Sequence, residues 1–231
     1  MIHNKNNNQN NMKTTKKTMK KFINEKIKQK FKNIKNLKFL KNKIGNNTPL
    51  KYTNNPYKNN SINLHSHNCY SYVLDLLDPE ARRVCYHTRK NNKNELCHRS
   101  QPGYSSGFPY LKSKDHNCPE IMKRTLSDNK HIYRIGKYDT CKKTHYPGAL
   151  VVAPKRDYHY YRKDDGSVLW SHKPGAQKVT RKDSRGNLIY YPDEANRNNG
   201  RLNYKDFCGY FCVPRNKSKK NMAYKPKNIL I

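Results

Sequence analysis

The stretch ALVVAPKRDYHYYRKDDGSVLWSH, residues 149–172, decides the fold class. Its first five residues, Ala149 to Ala153, are apolar with two adjacent valines, the mark of a buried strand. Two further extended runs follow, Asp157 to Lys163 and Val168 to His172, with Asp164-Asp165-Gly166-Ser167 between them. Asp-Gly between such runs is a strong short-range signal for a β-hairpin, because both residues tolerate the positive φ of a tight turn. Upstream, Cys69–Leu77 (CYSYVLDLL) reads as a short helix, with Asn68 or Ser66 available as its cap and Pro79 just beyond it. Downstream, Gly186-Asn187 predicts a turn before a further strand at Leu188 to Tyr191. A helix followed by successive strands predicts an α+β domain with an antiparallel sheet.

The hairpin also points to chemistry. With Asp165 and Gly166 as a two-residue loop, Asp164 faces Ser167 and paired residue numbers sum to 331. His159 then faces His172, and Tyr161 faces Trp170. Directly opposed side chains have Cβ atoms about 4.5–5.5 Å apart. Two histidines at that spacing can hydrogen-bond ring to ring, one fixing the tautomer of the other as the third member of a catalytic triad does. Cys69 is the candidate nucleophile, since it opens a helix whose unpaired amides and dipole favour a thiolate. The same amides offer a place for an oxyanion. A plainer reading stands beside this one: Cys69 as an ordinary buried thiol, His159 and His172 as unrelated histidines, and Trp170 as a core anchor. Asp157 is a second residue able to orient a histidine, and His65 and His67 are alternative bases.

Around this core the chain is polar and basic. Its 231 residues hold 49 Lys+Arg against 16 Asp+Glu, for a net charge of +33, and hydrophobic residues make up only 33%. A core spread evenly over the whole length is therefore not expected. The first 60 residues contain sixteen lysines and one acid, Glu25, and so carry +15. Within them Met19, Ile23, Ile27, Phe31, Ile34, Leu37, Leu40 and Ile44 recur at steps of three and four, which predicts a basic amphipathic helix over residues 13–44. Such a helix docks on its own domain, on an anionic surface or on a partner. Composition then divides the chain into a basic leader and linker (1–62), a folded domain (63–214) and a basic tail (215–231). The charge has two open explanations: an anionic partner such as nucleic acid, or coding bias, since Lys, Asn, Ile and Tyr all have AT-rich codons.

The order of Cys69 on a helix, His159 on a strand and His172 on the next strand resembles the papain-like cysteine amidases and peptidases of the CHAP and NlpC groups. The resemblance covers about residues 63–214 and rests on Asn-Cys-Tyr-Ser-Tyr, Asp-Tyr-His-Tyr-Tyr-Arg and Trp-Ser-His-Lys-Pro-Gly. It implies a Cys-bearing helix packed on an antiparallel sheet, with Cys69 as nucleophile, His159 as base and His172 as orienting residue. It further implies a peptide, amide or ester substrate and no cofactor. The family often has an acidic residue or Gly before the strand histidine, where Tyr158 stands here, and residues 85–145 look like an insertion. Gln-Pro-Gly-Tyr at 101–104 and Phe-Cys-Gly-Tyr-Phe-Cys-Val-Pro at 207–214 also resemble proteins of large DNA viruses, which implies a place in host cytoplasm or virion.

Other features keep different functions open. The N-terminus lacks the apolar region of a signal peptide, and no apolar run reaches the length of about 18 residues needed to span a membrane. Seven cysteines, sparse and odd in number, favour a reducing compartment over a disulfide scaffold. Six remain beside Cys69: Cys85, Cys97, Cys118, Cys141, Cys208 and Cys212. They offer a weak zinc signal, in Cys208 with Cys212 and in Cys97 and His98 with His116 and Cys118. They can also form three disulfides in any of fifteen connectivities. The alternative to an enzyme is a non-catalytic basic protein, structural or nucleic-acid-binding, with Tyr158, Tyr160, Tyr161, Tyr190 and Tyr191 as stacking platforms.

Overall fold

The computed structural model describes Glu25, Tyr52, Pro56, Tyr57 and residues 60–224. The chain divides into two compact units, Met1–Asn46 and Asn47–Ile231. The helix expected over residues 13–44 lies outside the described residues, apart from Glu25, which is helical.

In the second unit, α1 (Ser61–Ser66), α2 (Cys69–Leu74), α3 (Pro79–Asn91) and α4 (Cys118–Asp128) precede a sheet of five strands. These are β1 (Tyr133–Ile135), β2 (His145–Ala153), β3 (Asp157–Lys163), β4 (Trp170–His172) and β5 (Asp206–Pro214), in the order β1-β5-β2-β3-β4. All pairings are antiparallel, so the α+β class read from the sequence holds.

Each helix starts at a side-chain cap. Asn68 accepts from the amides of Tyr70 and Ser71, while the Ser71 hydroxyl accepts from the Asn68 amide, a capping box that fixes where α2 begins. Asp78 and Asn117 cap α3 and α4 ahead of Pro79 and Pro119. Tyr70, Val73 and Leu74 of α2 pack on Leu150, Val152, Tyr160, Phe211 and Val213 of the sheet. The opposite face carries Ala149, Val151, Tyr161, Trp170 and Tyr210, covered by Ile189 and Tyr204. Burial on both faces explains the unbroken apolar run of β2.

A bulge in β5 links the sheet to α4. Leu150 pairs with Gly209 but Val151 pairs with Phe207, so Cys208 is the extra residue, beside Gly209 at φ 118°. The slip reverses parity. Cys208 joins Phe211 and Val213 on the helix-covered face, where it bonds to Cys118 at the start of α4, and Phe207 joins Tyr210 on the other.

Several expectations need correction. The segment 46–62 is not only a linker: Tyr57 is fully buried, and its hydroxyl donates to the carbonyls of Ser71 and Leu76. The fold also continues past residue 214, since the Ala223 carbonyl accepts from Ser100 and the Asn221 amide donates to Asn129. Residues 85–145 are integral rather than inserted, supplying the core residues Ile121 and Met122 and the edge strand β1. Leu188 to Tyr191 forms isolated bridge contacts, not a strand.

The reading of a reducing compartment is also corrected. Cys85–Cys97, Cys118–Cys208 and Cys141–Cys212 are disulfides, and Cys69 is free. The zinc alternative finds no arrangement to hold it: among the described residues, no cluster of three His, Cys, Asp or Glu is placed around a metal site. Nor is any described helix long and apolar enough to cross a membrane.

Candidate functional site

The hairpin register differs from the expected one by two residues. Tyr161, not His159, pairs with His172, and paired numbers sum to 333. The connection widens because its two aspartates are drawn to arginines, Asp164 to Arg162 and Arg181 and Asp165 to Arg215. A shift of two preserves the face on which each side chain lies. His159 therefore still reaches His172 diagonally: its Nε2 lies 2.8 Å from His172 Nδ1, with the rings perpendicular.

The tautomers follow from the next partner. His172 Nε2 lies 2.9 Å from the Lys182 carbonyl, which can only accept. His172 Nε2 thus carries the proton and its Nδ1 accepts from His159 Nε2–H, which leaves His159 Nδ1 with its lone pair. Both rings are held neutral. Burial takes His172 down to about 4. Burial first, and then the proximity of His172 and Lys173, each of which opposes a second positive charge, hold His159 well below its ordinary value.

Cys69, His159 and His172 line one cleft of about 800 Å³, together with Arg99, Asp157 and Tyr204. The structure thus brings the three predicted residues to one place. Cys69 is 5% exposed, and its thiol is 3.9 Å from the Tyr158 carbonyl; no hydrogen bond joins it to His159. Its thiol is pushed up to about 12, by burial first and the Asp157 carboxylate second. This is opposite to the depressed value expected at a helix start. The resting arrangement is a neutral thiol and a neutral imidazole, not an ion pair.

The other named residues have structural occupations. Asp157 orients no histidine; it accepts from the Tyr204 hydroxyl at 2.7 Å and from the Tyr158 amide. His67 is excluded as a base because both ring nitrogens are engaged: Nε2 accepts from the Asp78 amide, so Nδ1–H donates to Ser66. Neither His65 nor His67 lines the cleft. Trp170 is a core residue packed on Tyr210.

The chain is 33% identical over 139 residues to insoluble matrix shell protein 1 of Ruditapes philippinarum, a match spanning 59% of this chain and 84% of that relative. The chain belongs to the family of that shell protein. No family model matches it, and neither does any solved structure.

In this family member two residues matter that the sequence did not single out. Lys173 is fully buried beside His172, and its ammonium donates to the carbonyls of Leu64, His67 and Gly175, closing the C-terminal end of α1 against the site. Burial, then the charge of Arg99, draws it down to about 7. Arg99 lines the cleft and donates to the His65 carbonyl at 2.9 Å. Among so many cations neither carried a distinguishing signal; only the position of Lys173 next to His172 hinted at its role.

Proposed function

We propose that the chain is a cysteine-dependent hydrolase or acyltransferase of papain-like type, acting on amide or ester bonds. Cys69 is its nucleophile, His159 its general base and His172 the residue that positions the base. The observation that supports this most is the relay from the Lys182 carbonyl through His172 to His159, which leaves His159 Nδ1 bare on a residue that lines the same cleft as Cys69. General-base catalysis requires an unprotonated nitrogen of this kind within reach of the nucleophile's proton. With both groups neutral at rest, the thiol proton passes to His159 Nδ1 as Sγ bonds to the acyl carbon. His159 then returns that proton to the departing amine or alcohol. Water, or another nucleophile, completes the reaction on the thioester. The capping box occupies the amides of Tyr70 and Ser71, so of the amides expected to face an oxyanion, the Cys69 N–H is the one left. No cofactor takes part.

A second reading is a non-catalytic matrix component. The name of the shell relative favours it, as does the raised Cys69 thiol. Both readings place the protein in an oxidising compartment, where three disulfides persist, rather than in a reducing cytoplasm. In both, the lysines of residues 1–60 are a tether for nucleic acid or another anionic surface.

Alkylation with iodoacetamide separates them, because Cys69 is the single thiol outside a disulfide. The enzyme takes up one label at neutral pH, at Cys69, and His159→Ala slows the reaction by about tenfold or more. Equal rates in the two proteins, or no labelling until the chain unfolds, would leave the matrix reading.

A further inference from the structure

A second cleft, of about 620 Å³, lies beside the one that holds Cys69. Asn68, Arg99, Asp157 and Tyr158 line both, so the two share a wall. Beyond that wall the second cleft is lined by His98, Gln101, Lys155 and Arg156, among others.

Three independent features mark it. The first is excess positive charge. Arg99, Lys155 and Arg156 are cations, and none of them forms an ion pair among the described residues. One acid, Asp157, stands in the shared wall, held by Tyr204 and the Tyr158 amide, and its carboxylate offsets part of this charge, which leaves the three cations in excess. The second is Gln101. Its side chain is 6% exposed, yet its Nε2 has no hydrogen-bond partner. A buried donor left unpaired calls for an explanation, and a rotation of the Gln101 side chain toward the cleft would give it an incoming oxygen as partner. The third is backbone geometry. Lys155 has φ 61°, a left-handed conformation for a residue with a side chain. It is pinned there: its amide donates to the His116 carbonyl at 3.0 Å, and its carbonyl accepts from the Ser113 hydroxyl. Lys155 is the second central residue of the turn that the Arg156 amide closes on the Ala153 carbonyl, and these bonds fix the backbone from which the Lys155 and Arg156 side chains leave.

We propose that this cleft binds the carboxylate of an acidic peptide, so that the neighbouring site receives chains with an Asp or Glu side chain to one side of the bond under attack. Carboxylate oxygens would accept from Gln101 Nε2 and lie against Arg156 and Lys155, with Arg99 on the wall common to both clefts. A guanidinium suits a carboxylate because its donors form a planar fork. The word substrate rests on the reading of Cys69 as a nucleophile; the binding itself does not.

Binding is therefore measured on the full chain carrying Cys69→Ala, at about 0.15 M salt to damp general attraction to so basic a protein. The probes are a fluorescent Gly-Glu-Glu-Gly peptide and its twin with Gln in place of Glu. The acidic peptide should bind about tenfold tighter than its twin, and Gln101→Met or the double change Lys155→Glu/Arg156→Glu should each remove most of that difference. The matched double change Lys90→Glu/Lys93→Glu, at the far end of α3 and just beyond it, alters net charge equally and should leave it intact. Equal affinity for the two peptides overturns the proposal. So does an equal loss in both double variants, which would mean nonspecific attraction, or an oligonucleotide that binds through these same residues more tightly than the peptide. If Cys69 proves unreactive while acidic peptides still bind, the hydrolase reading falls and the carboxylate site stands.

Discussion

His172 is neutral because the burial of its ring outweighs the opposing effect of donating Nε2–H to the Lys182 carbonyl, and that neutrality lets it accept from His159. The arrangement makes a prediction about pH. A lone Cys69 thiol at about 12 reacts only through its small thiolate fraction, so its alkylation rises about tenfold per pH unit across the neutral range. A thiol assisted by His159 instead follows the bare imidazole. Since burial and the proximity of His172 and Lys173 hold His159 below its ordinary value, the base is already deprotonated at neutral pH. The wild-type profile should be flat from about pH 6 to 9, and that of His159→Ala should climb steadily. His172→Ala should lose the plateau and slow labelling at neutral pH by about tenfold, because His159 Nε2–H is left buried without an acceptor. His172→Gln, whose side-chain oxygen can accept that hydrogen, should recover part of the rate. A purely structural histidine would show no such rescue, and identical climbing profiles for all four proteins would remove the base from the mechanism.

At the scale of strands and helices, packing is tight where α2 meets the sheet. Gly148 of β2 pairs with Phe211 of β5, and the Phe211 ring lies over the glycine: a Cβ there would come within 2.6 Å of the ring and 3.0 Å of Val73. Gly148→Ala should therefore destabilise the fold by about 1–3 kcal/mol through overpacking. The urea midpoint measures this, and Phe211→Leu in the same chain should restore part of the loss. An unchanged midpoint would mean that the Phe211 ring moves aside without cost. Contacts of this kind set the limit of what the sequence discloses. The α2 cap, the strand at Ala149–Ala153 and the hairpin were legible because their signals are local: a capping residue, β-branched neighbours, a turn dipeptide. The register was not, because Asp164 and Asp165 answer to Arg181 and Arg215, 17 and 50 residues away. The His159–His172 contact survived the error only because two-residue slips keep side chains on one face. Strand β5 was hidden by its own bulge, where Cys208 and Gly209 break the alternation that identifies a strand. Tyr57 was hidden because two tyrosines five residues apart, Tyr52 and Tyr57, among Lys, Asn and Pro have no period to betray either.

Over the whole molecule, charge and cross-links oppose each other. Residues 61–231 carry +18, and self-repulsion of that size weakens a compact state. The disulfides constrain the unfolded chain in return. Cys118–Cys208 and Cys141–Cys212 span 90 and 71 residues and both end on β5, the strand between β1 and β2, whereas Cys85–Cys97 spans 12. Closing a loop of the longer kind restricts the unfolded ensemble by about 4–5 kcal/mol, and of the shorter kind by about 3 kcal/mol. The pair change Cys118→Ala/Cys208→Ala should consequently lower the thermal midpoint more than Cys85→Ala/Cys97→Ala. Full reduction should bring the chain near its unfolding threshold, where repulsion decides the outcome. Added salt then acts in a defined direction. At about 0.01 M ionic strength charges interact over about 30 Å, the scale of the whole unit; at about 1 M the range falls to about 3 Å. The reduced protein should be largely unfolded at low salt and regain near-native circular dichroism as chloride is raised, while the oxidised protein changes little. A reduced chain that stays folded at low salt would mean that its tyrosine-rich core suffices without the cross-links. One that stays unfolded at high salt would mean that loop closure, not repulsion, was what the disulfides supplied.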